Sequence, residues 1–441
     1  MKKRFSKIIA MFLAVITCTS VVGCSLFEQK SYIPKDLADS NTLAQSIVLN
    51  TRNESERSLL TRVQAIAMVE RSVVAIRMSY STSSGTGSSS GSGVIIDNGS
   101  KTDNIFYIIT CHHVISSGGS ITVYVPDTKT RNYGDSDYDK DFIFTGTIDT
   151  TIRKSDEVSL IGGDQNRDIA VLKLDVSNTG VSKDDIVCSY LPPESYKMQR
   201  GEDVFAIGNP GGSLPMTASN GIISYLDRES AISSVGYMTL MQIDVQINHG
   251  SSGGGLYNYY GELIGITNAG SDSLDGINYA IPHKFTYSEG GFVDTAKQLL
   301  ATYYEHFEEQ NFGYVTGSWS FGITVSSTST ATIASVVEGS NAEKAGLQAN
   351  DVIVGFSFEK DGYSFKEVVT SRSELENCMF ALKKYLVVGD SFNVEFRRGT
   401  NNWGGYQTLS TTVNLTEQFI FGDTGYRVPD KTEEVPEQQV A

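Results

Sequence analysis

Gly250-Ser251-Ser252-Gly253-Gly254 is the stretch on which the reading of this chain turns. Glycines on both sides of a serine let the backbone turn tightly and bring its amides close to a bound group. Such a loop presents a hydroxyl together with N–H groups aimed at a developing oxyanion. The loop alone is weak evidence, because a second Gly/Ser run, Ser83 to Gly93, carries no chemistry-bearing residue. Two upstream stretches strengthen it. Thr110-Cys111-His112-His113-Val114 closes the apolar run Phe106–Ile109 and offers an imidazole base, and Asp168-Ile169-Ala170-Val171-Leu172 opens an apolar strand with a carboxylate. His, Asp and Ser in that chain order form one of several unrelated orders in which a nucleophilic triad recurs.

With the further blocks Ala206-Ile207-Gly208-Asn209-Pro210, Asn220–Ser224, Gly261–Ile266 and Tyr279–Pro282, the chain resembles the HtrA (DegP-type) serine proteases over roughly residues 70 to 400. The resemblance implies a mostly β protein: a chymotrypsin-like double β-barrel of two six-stranded barrels, followed by an α+β PDZ domain. It implies that His113, Asp168 and Ser252 are catalytic, with His113 and Asp168 from the first barrel and Ser252 from the second. The loop Gly250, Ser251, Ser252 would form the oxyanion hole through the N–H groups of Gly250 and Ser252. His113 rather than His112 matches the family's H-V pairing, leaving His112 an ordinary loop residue and His249 a surface one. Family members mostly carry Asn where this chain has Ser251. Gln246, six before the nucleophile where trypsin-type enzymes carry their selecting residue, is uncharged and gives no basis for selecting Lys or Arg.

The boundaries follow from composition and resemblance together: 1–24 a signal peptide with a lipobox, 25–54 a tether, 55–290 the protease domain, 291–313 a linker helix, 314–415 the PDZ domain and 416–441 an acidic tail read as disordered beyond Asp423. Lys2, Lys3, Arg4 and Lys7 precede the apolar run Ile8–Ile16, which is too short to span a bilayer. Val21-Val22-Gly23-Cys24 resembles the bacterial lipoprotein cleavage box, so Cys24 is expected to carry the lipid and anchor the protein outside the cytoplasm on the bacterial cell membrane. The formal charge of −16 falls further once that basic segment is removed. Charge repulsion therefore argues against nucleic acid as a partner.

Cys111, Cys188 and Cys378 remain beyond the leader, an odd number without shared spacing; neither a disulfide framework nor a metal-ligand pattern is read, and no cofactor is expected. Cys111 is read as a packed thiol. Ser55 to Glu70 has helical apolar rhythm with Ser55 as N-cap, and Ser81 to Gly93 reads as a flexible hairpin connection. Nine short β-rich runs between Val94 and Ile281 suit barrels. Phe292 to Glu309 reads as a helix, and Ser373 to Lys384 as the helix flanking a peptide groove. Ser320, Phe321, Gly322 and Ile323 resemble the PDZ turn that receives a terminal carboxylate.

The expected function is ATP-independent cleavage of unfolded or damaged extracytoplasmic polypeptides, with C-terminal peptides bound at the PDZ domain and a homotrimer implied by the resemblance. The alternative is a non-catalytic chaperone or peptide-binding protein on the same scaffold.

Overall fold

The computed structural model describes residues 47, 49–82, 85–98, 103–116, 120–126, 142–149, 157–179, 181–212, 214, 216–232, 236–270, 275–286, 290–305, 312–315, 317, 319–326, 330–399, 405–416, 420–421 and 426–427. Cys24 and the leader, along with nearly all of the tether and tail, lie outside the described residues.

Seven strands form the first sheet: β1 (Val73–Thr82), β2 (Gly85–Asp97), β3 (Ile105–Thr110), β4 (Ser120–Pro126), β5 (Phe142–Asp149), β6 (Val158–Asp164) and β7 (Ile169–Asp175). Their order is β5-β4-β1-β2-β3-β7-β6. The expected six strands become seven, with β5 and β6 at opposite edges of the sheet. β5 pairs with β4 and β6 with β7. All six residues of β3 are buried, as are Ile169 to Leu172 of β7, which explains why these read as unbroken apolar runs.

A second sheet closes on itself as a six-stranded barrel in the order β10-β13-β12-β11-β8-β9. Its strands are β8 (Asp203–Gly208), β9 (Thr217–Ile232), β10 (Gly236–Ile243), β11 (Gly255–Asn258), β12 (Leu263–Gly270) and β13 (Asn278–Pro282). The β11 strand starts directly after the Gly250–Gly254 loop and pairs with β8 and β12, which fixes that loop at the barrel's end.

Two local expectations change. The Ser/Gly run is strand, not flexible connection: β1 and β2 pair from Val73↔Val94 out to Thr82↔Gly85. Backbone pairing needs no large side chain, and Met78, Ile76 and Val74 supply the buried face from the partner strand. The first helix is α1, Arg62–Val69, and its N-cap is Thr61 rather than Ser55. Thr61 accepts from the Gln64 N–H while Gln64 reaches back to the Thr61 N–H, a reciprocal capping box.

Residues ahead of α1 are held against the second barrel. Thr51 bridges Leu191, and the Leu60 N–H donates to Tyr259 O. Arg57 donates from Nε and Nη2 to Glu262 at 2.8 and 3.1 Å, and its guanidinium lies 4.2 Å from the Tyr260 ring centroid. Glu262 is fully buried, and Asn258 Nδ2 donates at 2.8 Å to the same Oε2 that accepts from Arg57 Nη2.

After α2 (His112–Ile115) and α3 (Phe292–Glu305), the chain enters a C-terminal unit with its own core around Trp319, Phe321, Phe356 and Phe392. It contains β14 (Ile323–Val325), β15 (Ile333–Val336), α4 (Asn341–Lys344), β16 (Val352–Lys360), β17 (Tyr363–Val368), α5 (Arg372–Tyr385), β18 (Ser391–Gly399) and β19 (Tyr406–Asn414). Ser371 and Glu374 form the capping box that starts α5, one residue before the expected position. In the acidic tail, β20 (Ile420–Phe421) pairs with β21 (Tyr426–Arg427), which lies beyond Asp423 in the part expected to be disordered.

Candidate active site

The three residues singled out from separate stretches come together where the seven-stranded sheet faces the closed barrel, joined by bonds from Ser92 to the Ser252 loop and from Asn268 to Asp168. His113 lies in α2, just after β3. Asp168 precedes β7 and holds a left-handed backbone angle, φ 50°, which is uncommon for a residue with a side chain and found at constrained sites. Asp168 is fully buried. One of its oxygens, Oδ1, accepts the His113 backbone N–H at 2.8 Å, and Oδ2 faces His113 Nδ1 at 2.7 Å. The carboxylate thus fixes the imidazole with Nδ1 protonated and Nε2 free to accept a proton.

Burial pulls the His113 pKa down, but the charge of Asp168 and its hydrogen bond outweigh this, so the imidazole ends above its ordinary value. His112 is different. It is buried rather than an ordinary loop residue, its backbone N–H donates to Asp168 O, and desolvation lowers its imidazole to about 4. His249 is exposed.

Ser252 Oγ donates to the backbone carbonyl of Asn268 at 2.7 Å and makes no hydrogen bond with His113. Catalytic hydrogen bonds commonly tighten only when substrate is present.

Gly250 (φ 91°) and Gly253 (φ 86°) give the loop its shape. A Cβ on Gly253 would stand 2.1 Å from Ser92 O and 2.4 Å from Thr110 Oγ1, so no other residue fits there. Within the loop the Ser251 N–H is spent on Asn248 O at 2.9 Å. The Gly250 and Ser252 amides take no backbone partner among the described residues.

Two residues of the site were not anticipated. Ser92, buried at the end of the Ser/Gly run, pins the loop from the seven-stranded sheet. Its N–H donates to Ser252 O (2.8 Å) and its Oγ to Gly250 O (2.8 Å); that Oγ accepts from the Asn209 N–H (2.9 Å), and its carbonyl accepts from Thr110 Oγ1 (2.7 Å). Asn268, near the end of β12, donates from Nδ2 to Asp168 Oδ2 at 2.6 Å while its carbonyl holds the Ser252 hydroxyl. Only the placement of Asn209 inside the Ala206–Pro210 block hinted at Ser92's surroundings, and no local pattern pointed to Asn268.

In the C-terminal unit, the carbonyls of Ser320, Phe321 and Gly322 are taken by Asn341 Nδ2 and by the N–H groups of Ala342 and Val337, each at 2.9 Å. Gly322 has φ 80°, and the amides of Phe321 and Gly322 have no backbone partner among the described residues. Ile323 begins β14, which pairs with β15 along one edge.

The family model for the trypsin-like peptidase domain matches residues 91–266, which include all three central side chains and the loop around Ser252. The chain carries a trypsin-like peptidase domain. That domain has homologues among HtrA-type serine proteases. The chain is 31% identical over 337 residues to the serine protease Do-like HtrA of Bacillus subtilis (strain 168), covering 73% of this chain and 63% of the relative. It is 33% identical over 223 residues to the serine endoprotease DegS of Haemophilus influenzae, covering 48% and 57%. A solved serine endoprotease from Yersinia pestis aligns with a TM-score of 0.41 and 24% identity, covering 81% of this chain and 97% of that one. The chain spans between half and two thirds of the length of the curated relatives it matches.

Proposed function

We propose that this protein is an ATP-independent serine endopeptidase in which His113, Asp168 and Ser252 act as one triad on unfolded or damaged extracytoplasmic polypeptides. The observation that carries this reading is the buried Asp168 carboxylate bonded to His113 Nδ1, with Asn268 bonding both that carboxylate and the Ser252 hydroxyl. Ser252 Oγ attacks a peptide carbonyl as His113 Nε2 takes its proton, and the imidazolium formed is stabilised by Asp168. The Gly250 and Ser252 amides receive the oxyanion, each donor contributing about 3–4 kcal/mol. His113 then passes the proton to the leaving amine, and water repeats the cycle on the acyl-enzyme.

The lipid on Cys24 would hold the enzyme at the outer face of the cell membrane. The residues at 314–415 would form a PDZ domain, with Phe321, Gly322 and Ile323 receiving a terminal carboxylate beside α5. A homotrimer built through the N-terminal part of the peptidase domain would cover Leu59 and Val63, which are 72% and 77% exposed, and light scattering reads that state. A purely chaperone role has no use for an imidazole held in one tautomer by a buried carboxylate.

A fluorophosphonate probe tests these assignments together. Labelling is expected on Ser252, in the membrane fraction, and in the soluble fraction or on unprocessed protein for Cys24→Ala. Peptides ending in a free carboxylate should change the labelling rate and their amides should not. Labelling of Ser251 instead, or none at all with the chain folded, overturns the triad; an unmodified soluble wild type overturns only the anchor.

The pH profile follows from His113. A general base works only when neutral, so activity falls as pH drops through its pKa. That inflection is expected above the ordinary histidine value of about 6.5, because Asp168 favours the charged ring. In Asp168→Asn the residual activity should show its inflection at lower pH, since burial then acts unopposed. An unmoved inflection would mean that another group limits the rate.

A further inference from the structure

Cys111 is fully buried directly behind the His113–Asp168 pair, and nothing in the proteolytic cycle uses it. Its Sγ, a ring nitrogen of His113 and a carboxylate oxygen of Asp168 lie within 4.8 Å of one another, and His113 Nδ1 is the nitrogen that faces Asp168 Oδ2 at 2.7 Å. A fourth group borders the same space. Asn268 Nδ2 is 2.6 Å from Asp168 Oδ2 and 3.8 Å from Cys111 Sγ, while Asn268 Oδ1 is buried with no hydrogen-bond partner. An orphaned buried carbonyl oxygen costs free energy, and here it belongs to a residue already touching two of the three other groups.

We propose that these four side chains form an inhibitory site for one thiophilic divalent cation of the zinc class. Thiolate, imidazole and carboxylate are zinc's usual ligands, with bonds of about 2.0–2.3 Å that set neighbouring ligand atoms about 3.3–3.8 Å apart. The present separations need only a slight opening of the Nδ1···Oδ2 contact and an inward shift of Sγ. Half a turn of the Asn268 amide puts Oδ1 where Nδ2 stands, so that the oxygen reaches the metal while Nδ2 gives up its bond to Asp168 and takes the place that Oδ1 now holds. A dication with one thiolate and one carboxylate is neutral overall, which suits a site without water.

The protons balance simply. The Cys111 thiol gives up one proton to solvent as its sulfur binds the metal. The proton on His113 Nδ1 moves to Nε2 as Nδ1 becomes a ligand, so no further proton is lost. An Nε2 that carries a proton cannot take one from Ser252, and hydrolysis stops although the serine loop is untouched. No local spacing announces the site, because its ligands come from the end of β3, α2, the turn before β7 and the end of β12.

The inhibition rests on His113 being the base, whereas the binding does not, and the experiment separates them. Zinc chloride is titrated into the full-length protein while fluorophosphonate labelling is followed, and cobalt chloride is titrated while the thiolate-to-cobalt charge-transfer absorption is read. Wild type should lose labelling with zinc and regain it with EDTA, and should develop the cobalt absorption. Cys111→Ala and Cys111→Ser should label normally without metal, require at least about ten-fold more zinc for half-inhibition, and lack the absorption; Cys188→Ala should behave as wild type. A thermal melt confirms that each variant is folded, and the two Cys111 substitutions guard against one failing to fold. Cobalt absorption without inhibition would keep the site and overturn the role of His113. Equal zinc sensitivity in wild type and both Cys111 variants, or an absorption that survives their loss of the thiol, overturns the site.

Discussion

Ser252→Ala, His113→Ala and the double variant should each lose nearly the same activity, about 10⁶-fold in kcat, rather than losses that multiply. Members of a triad act as a unit: a serine without its base is a weak nucleophile, and a base without its serine has nothing to deprotonate. What survives in all three is the contribution of the Gly250 and Ser252 amides together with substrate positioning. Casein unfolded before assay is a suitable substrate. Full activity in His113→Ala would remove the imidazole from the mechanism. His112 does not stand in for it, since its ring is buried and held neutral by desolvation. Accordingly His112→Ala is expected to lose stability before it loses chemistry.

Arg57→Ala should destabilise the peptidase domain by about 3–5 kcal/mol, because it leaves the Glu262 carboxylate uncompensated in the interior. Arg57 is itself mostly covered and bonds Glu262 through two nitrogens, a geometry that a mobile surface pair lacks. The midpoint of urea unfolding measures the loss. Adding Glu262→Gln to Arg57→Ala should recover a good part of it, since the stranded charge rather than the missing contact is the main cost. A single-variant loss below about 1 kcal/mol would show that the segment from Thr51 to Thr61 is held by its backbone bonds alone.

How far the sequence discloses this molecule depends on whether a residue's task is local. His113, Asp168 and Ser252 each sit in a short block whose apolar or glycine context shows what it adjoins, so their meeting is readable before any coordinates. The second barrel was legible in most of its strands for the same reason. The β11 strand escaped because Gly255–Asn258 is only four residues long, and because a strand following a glycine loop has no turn signal of its own. Thr61 was passed over as a cap for Ser55 because both precede apolar residues at helical spacing; what separates them is Gln64, placed to complete the reciprocal bond, and the pull of Glu262 on Arg57. Ser92 and Asn268 were illegible for a deeper reason. Ser92 stands among Ser88, Ser89 and Ser90, and only the fold decides which of these serines faces the nucleophile loop. Asn268 acts through one side-chain nitrogen and one backbone oxygen, neither of which imposes a pattern on the residues beside it.

The paired Ser/Gly strands carry a consequence for how active molecules arise. Side chains alternate across a strand, so slipping β2 by one residue against β1 would put Gly91 or Gly93 in the place of Ser92 and turn Ser92 to the other face. Few side chains between Gly85 and Gly91 are large enough to oppose such a slip, and the burden falls on Val94, Ile95 and Ile96, all fully buried. A misregistered hairpin would keep most of its ladder and much of the barrel, yet would lose both clamps on Gly250 and Ser252. Active-site titration below the protein concentration, with a native bulk spectrum, is the expected sign of molecules folded in that slipped register.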